Sequence, residues 1–155
     1  MATIVKERTS RQKLGDYGEE AVTRLSCPHC KRPRTLRRLP LNFKCADVIC
    51  DFCGYLAQVK ATHREDIDTL PATLLGAAWQ PQAERMQAGI YFPLFIVLAS
   101  RDYRRTAIYY LPSDLQSPAM FVKRPPLSAT AHRAGWTGYN LHLDLPGAHR
   151  PVRLR

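Results

Sequence analysis

The sequence predicts a mixed α/β (α+β) domain built on one central sheet, and three observations predict it. Residues Leu14, Tyr17, Ala21, Val22 and Leu25 recur at three- and four-residue steps, the period of an amphipathic helix. Ile90 to Leu98 is an almost unbroken apolar run of strand length, as expected of a strand covered on both faces by helices. Between them lie two CxxC knuckles, Cys27/Cys30 and Cys50/Cys53, separated by nineteen residues. That is the spacing of a tetrahedral zinc site.

Taken in order, residues 1–10 are polar, and the first helix is expected at about 12–26. Its acids Glu19 and Glu20 read as a solvated face, with the alternative that one of them approaches a catalytic cation. Lys31, Arg32, Arg34, Arg37 and Arg38 form a basic run between the knuckles, either facing phosphates or simply solvated. Leu41 to Ile49 reads as a strand with Phe43, Cys45 and Asp47 on one face and Asn42, Lys44 and Ala46 on the other. The second knuckle turns the chain, and Tyr55 to Lys60 returns as its partner strand.

Thr62 to Thr69 is charged and loop-like, and from Leu70-Pro71 the spacing of Leu74, Leu75, Ala78, Trp79 and Met86 predicts helix. Pro81 restricts the main segment to about 79–88, opened by the proline and stopped by Gly89. Strands follow at 90–98, 106–111, 120–123 and, by clean alternation, 139–145. Pro125-Pro126 breaks the chain before a loop carrying Arg133, Gly135, Trp136 and Gly138, and the chain ends in a basic tail.

A chain of 155 residues suits one domain, expected to span 1–155 and to bury roughly 68–70% of its unfolded surface. A net charge of +10 favours a polyanionic partner such as nucleic acid. The N-terminus lacks the apolar core of a secretion signal and no run is long enough to span a bilayer, so a cytoplasmic protein is expected, with no membrane partner. Of five cysteines, four thiolates around zinc leave only Cys45 over, whereas disulfides would strand one and are rare in the cytosol. With all four positions filled by Cys27, Cys30, Cys50 and Cys53, the zinc would be structural, and His29 is not needed as a ligand.

The second constellation is Asp47 with Gln58, Val59 and Lys60. Gln58 and Lys60 share a strand face, and an acid on the neighbouring strand could meet them. Asp47, the side-chain oxygen of Gln58 and the carbonyl of Val59 would bind Mg²⁺, which activates water against a phosphodiester, while Lys60 orients that water or stabilises developing charge. The pattern D-x10-Q-x-K is short, and a surface Asp with a solvated Lys also satisfies it. Trp136 between two glycines either contacts a base or caps the core edge. No glycine-rich phosphate loop for a nucleotide cofactor is present, and Ser100, Ser113 and Ser128 show no nucleophile elbow.

Three segments together resemble the DpnI-type, or Dam-replacing, methyl-directed restriction endonucleases of the PD-(D/E)XK nuclease superfamily. They are the knuckles through Ala46-Asp-Val-Ile-Cys-Asp-Phe-Cys53 to Gln58-Val-Lys60; Gly76-Ala-Ala-Trp79 to Glu84-Arg-Met-Gln87; and Pro126-Leu-Ser-Ala-Thr-Ala-His-Arg-Ala-Gly-Trp136-Thr-Gly138. The resemblance implies a restriction-endonuclease-like mixed sheet flanked by helices, with Asp47, Gln58 and Lys60 at the catalytic positions and the four cysteines on zinc. It implies that Trp136 contacts N6-methyladenine with Thr130, His132, Arg133, Ala134 and Gly135 beside it, in double-stranded DNA, with G-m6A-TC as the target. Two departures stand out: Gln58 replaces the family's Glu, and the archetype's second, winged-helix domain is not expected here. The alternatives are a non-catalytic, zinc-stabilised reader of methylated DNA and a nuclease indifferent to methylation. No motif sets the oligomeric state.

Overall fold

A computed structural model describes residues 7–41, 43, 45–125 and 136–155. Helix α1 spans Ser10–Thr23 and begins in a capping box, where Thr9 Oγ1 accepts from the Gln12 amide and Gln12 Oε1 accepts from the Thr9 amide. The chain then forms β1 (Leu36–Arg38), β2 (Val48–Cys50), β3 (Leu56–His63), β4 (Thr73–Trp79), α2 (Gln80–Gln87), β5 (Leu94–Ala99) and β6 (Thr106–Leu111). Two single 3₁₀ turns at Ser113–Leu115 and Pro118–Met120 lead to β7 (Phe121–Lys123), β8 (Trp136–His142) and β9 (Val152–Arg153).

The strands make two sheets. Six run in the order β1-β2-β3-β5-β6-β9, all antiparallel to their neighbours except β3 and β5, which are parallel; the other three run β4-β8-β7. β5 lies in the middle of the large sheet with all six residues buried. Its side chains alternate between two cores: Phe95 and Val97 pack with Ala21 and Val22 of α1, while Leu94, Ile96 and Leu98 pack with Leu74, Met120 and Leu141. Burying each such side chain is worth roughly 1.5–3 kcal/mol, so β5 is the main apolar anchor of both layers.

The architecture corrects one expectation directly. The central strand is covered on both faces, but only one cover is helical; the other is the three-stranded sheet. Thr73–Trp79, read as the approach to a helix, is strand β4, paired along its whole length with β8. Leu74 and Ala78 are buried while Leu75 is 66% exposed, a period of two that three- and four-residue spacing mimics over so short a stretch. Pairing with β8 and docking on the apolar β5 face overrode local preference. The helix itself stays close to its expected bounds, closed by Gly89 at φ +77°.

A second correction concerns the strand at 41–49. Only Val48–Cys50 is strand, and Phe43 is 45% exposed while Ala46 is buried, so simple alternation does not place Asp47. The 62–69 segment also begins two residues later than expected, since Thr62 and His63 extend β3 beside β5.

α1 lies closely on β3 and β5. Gly18 permits this, because a Cβ there would sit 2.8 Å from Ala61 Cβ. The helix thus holds β3 from behind.

Candidate active site and zinc cluster

The first knuckle is a tight turn in which the Cys27 amide donates to Arg32 O at 3.0 Å and the Lys31 amide to Cys27 O at 2.9 Å. The second is built alike, with Gly54 (φ +78°) donating to Cys50 O at 2.9 Å and Cys50 to Tyr55 O at 2.8 Å. These turns bring the four sulfurs within 4.8 Å of one another. Cys27 and Cys53 Sγ are 3.7 Å apart, as are Cys30 and Cys50 Sγ. Those gaps far exceed a disulfide bond of ~2.05 Å. A tetrahedron with metal–sulfur arms of ~2.3 Å has edges of ~3.8 Å, which the two gaps match. The cluster could therefore hold one zinc ion.

The thiols differ before any metal binds. Burial pushes Cys27 up to about 12, whereas at Cys50 the effect of burial is outweighed by Thr35 Oγ1, 3.2 Å away, and by the Cys53 and Phe52 amides, which bring it down to about 6. Around the cluster, His29 stacks on Tyr55 and the Arg32 guanidinium covers the Phe52 ring at 3.6 Å.

The hairpin carries a different arrangement at its other end. β2 pairs with β3 only through Val48↔Ala57 and Ile49↔Leu56. Beyond that point the Asp47 side chain takes over the ladder: its Oδ2 accepts from the Val59 amide at 2.7 Å. The Gln58 amide donates to Pro93 O on the opposite side. Because successive residues of a strand alternate the direction of their N–H and C=O groups, the Val59 carbonyl faces the Asp47 side. Gln58 Nε2 donates to Cys45 O at 3.1 Å, and its Oε1 accepts no hydrogen bond from the described residues.

Gln58 and Lys60 line one pocket with β4 and β8, on the face opposite α1. The Lys60 stem passes over Gly76, where a Cβ would lie 3.6 Å from its Cε. Burial raises the Asp47 pKa against the opposing pull of the Val59 amide, Lys60 and Arg38; burial likewise lowers that of Lys60, against Asp47. The two are a mutually dependent acid and base at a sheet edge.

Glu19 and Glu20 part company. Glu20 is exposed. Glu19 points inward, where burial raises its pKa, the hydrogen bond from Arg38 lowers it, and the Asp47 charge raises it further. Arg38 of β1 ties this corner together, with Nη2 donating to Asp16 Oδ1 and Glu19 Oε2, both at 2.7 Å. Its role was hidden in the sequence as one member of a basic run.

On the outer side of Lys60 a solvent-open groove of about 1390 Å³ runs between the end of β3, the N-terminal part of α1 and β4, lined by Arg11, Lys60, His63, Arg64 and Arg124 among others. Thr130, His132, Arg133, Ala134 and Gly135 lie outside the described residues. Trp136 opens β8 in register with Trp79, and only its backbone is described.

A family model described as DpnI, Dam-replacing family, matches residues 2–150. The chain belongs to the Dam-replacing family. Among curated proteins, NADH-ubiquinone oxidoreductase chain 4 of Scyliorhinus canicula is 28% identical over 95 residues, covering 52% of this chain and 20% of the relative. This Dam-replacing family chain thus spans about a fifth of that relative's length, and the likeness carries no functional argument. No helix among the described residues is long and apolar enough to cross a membrane.

Proposed function

We propose that the protein is a Mg²⁺-dependent endonuclease that cuts double-stranded DNA containing N6-methyladenine, with G-m6A-TC as its target. The observation that carries the proposal is the broken ladder at Asp47. A buried carboxylate is costly unless something compensates it. Here it is held by the Val59 amide and the field of Lys60, and Lys60 in turn lines a basic groove that Asp47 itself does not line.

Asp47, Gln58 Oε1 and the Val59 carbonyl form an all-oxygen donor set, which fits a hard cation such as Mg²⁺. When bound, that cation supplies polarisation of the scissile phosphate and a more acidic attacking water. Asp47 and Val59 fix the donor geometry through one hydrogen bond. Lys60, with its ammonium destabilised by burial, gains most from a phosphate or a developing negative charge beside it, and it orients the attacking water. Glu19 is the accessory acid, its carboxylate within electrostatic reach of Asp47; exposed Glu20 drops from that role. Methyl recognition falls to Trp136 with Thr130, His132, Arg133, Ala134 and Gly135, on the strength of the resemblance of the sequence Pro126–Gly138 to the family's.

Gln58 favours a second reading. It is neutral, and its amide is tied to Cys45 O, which suits a reader that binds methylated DNA without cutting. Incubating methylated and unmethylated plasmid with protein and Mg²⁺ separates the readings. Cutting confined to methylated plasmid supports the proposal; binding without cutting supports the reader, and equal cutting of both indicates a nuclease indifferent to methylation. In the first case Trp136→Ala should equalise the two plasmids, and an unchanged preference would remove Trp136 from methyl recognition.

A further inference from the structure

Two arginines outside the Asp47 cluster share an unusual state. Arg64 and Arg124 each have a buried Nε with no hydrogen-bond partner among the described residues, and both line the groove that Lys60 also lines. Among the described residues, neither has a carboxylate within ion-pair distance, whereas Arg37, Arg38, Arg105 and Arg153 all do. A buried guanidinium N–H without an acceptor is costly, and the planar fork of donors matches the oxygens of a phosphate.

The backbone around Arg124 is arranged for that guanidinium. Its amide donates to Gly138 O at 2.8 Å, which fixes the stem on the three-stranded sheet. The guanidinium lies over Gly138, where a Cβ would meet Nη2 at 2.9 Å, and among the described residues Nη2 donates to Gly76 O, 3.4 Å away. Gly76 is the residue whose other face carries the Lys60 stem. Gly138 therefore leaves room for the guanidinium, and Gly76 leaves room for the lysine. At the far end of the groove, Arg64 follows Lys60 by four positions along extended chain, roughly 13 Å. Its amide is held by Ala99 O at 2.9 Å, so its stem too is anchored.

We propose that Arg124 and Arg64 form a phosphate clamp that carries the backbone of the cut DNA strand along the groove and over Lys60, Arg124 at the reacting end and Arg64 further along. The clamp rests on the nuclease reading for the word "cut", while phosphate binding stands on the groove alone. Both residues bind substrate; Gly138 positions Arg124.

The test measures binding of the full chain to a methylated duplex across a salt series, with cleavage followed separately. Removing one arginine–phosphate pair lowers the slope of log K against log salt by about 1. Arg124→Ala and Arg64→Ala should each lower it by about 1, and the double variant by about 2. Arg124→Lys should keep the slope and lose cleavage rate, because charge remains while the planar fork does not. Gly138→Ala should behave like a displaced Arg124, raising KM while zinc content stays the same. Arg104→Ala, whose side chain is 86% exposed and outside the groove, serves as the charge control and should leave the slope within about 0.3 of wild type. An unchanged slope in both alanine variants, or an equal drop in Arg104→Ala, overturns the clamp. A wild-type protein that fails to cut while the variants show the expected slopes overturns the nuclease reading and leaves the clamp standing.

Discussion

The two ends of one hairpin, β2 and β3, solve opposite problems. At the knuckle end four identical ligands converge with sulfur gaps of 3.7 Å, backed by two tight turns that leave no donor position open. At the other end the ladder stops early, and an aspartate, a neutral amide and a lysine share the edge. The closed end can do nothing with a metal except fold around it. The open end has two charges destabilised by burial, Asp47 and Lys60, the condition expected of a functional site.

Removing the closed end should have the largest effect. Structural zinc sites are worth on the order of 10 kcal/mol in folding free energy, comparable to the whole stability of a domain. Chelation, or Cys50→Ser, should therefore unfold the hairpin and abolish cleavage together, read as loss of one bound zinc and of the thermal transition. Survival of the transition after metal loss would show that the two ends are not coupled.

Lys60→Ala attacks the open end alone. Loss of a group that stabilises transition-state charge costs ~10²–10³-fold in rate. Zinc content should not change, and duplex binding should stay within a few-fold. Cleavage near the wild-type rate would take Lys60 out of the chemistry.

How much of this was legible in the sequence follows the same division. The knuckles were, because thiolate spacing is set by ligand geometry and little else. So were α1 and β6, where one periodicity dominates; β6 matches its expected Thr106–Leu111 bounds. β4 was not, since its run of Gly76, Ala77 and Ala78 has weak local preference and its identity comes from β8, over sixty residues away. Strand alternation put Asp47 on a face with Phe43 and Cys45, but the chain bends at Asp47 and its carboxylate accepts from the Val59 amide. Arg38 and Arg124 were invisible as site residues, for their partners lie on other elements: Asp16 and Glu19 for one, Gly76 for the other.

Gly18→Ala should act between the two ends. Its new methyl would press on Ala61 Cβ at 2.8 Å, and overpacking of this kind costs ~1–3 kcal/mol. Thermal denaturation should show that loss with the zinc retained, because the contact lies on β3 beyond the knuckles. A fall in zinc stoichiometry would mean that α1 also supports the cluster.

Gln58→Glu is the smallest change and bears most directly on why the open end is open. A second carboxylate beside Asp47 adds one negative charge to the donor set, so the Mg²⁺ concentration for half-maximal cleavage should fall several-fold. The same charge disfavours ionisation of Asp47 in the metal-free protein, whose pKa burial already raises. Cation binding requires the ionised carboxylate, so at low Mg²⁺ the variant should lose binding at a higher pH than wild type as the solution is acidified, and excess Mg²⁺ should erase the difference. A Mg²⁺ requirement that does not move would place Gln58 outside the cation site, as its bond to Cys45 O allows, and leave Glu19 to supply the second carboxylate.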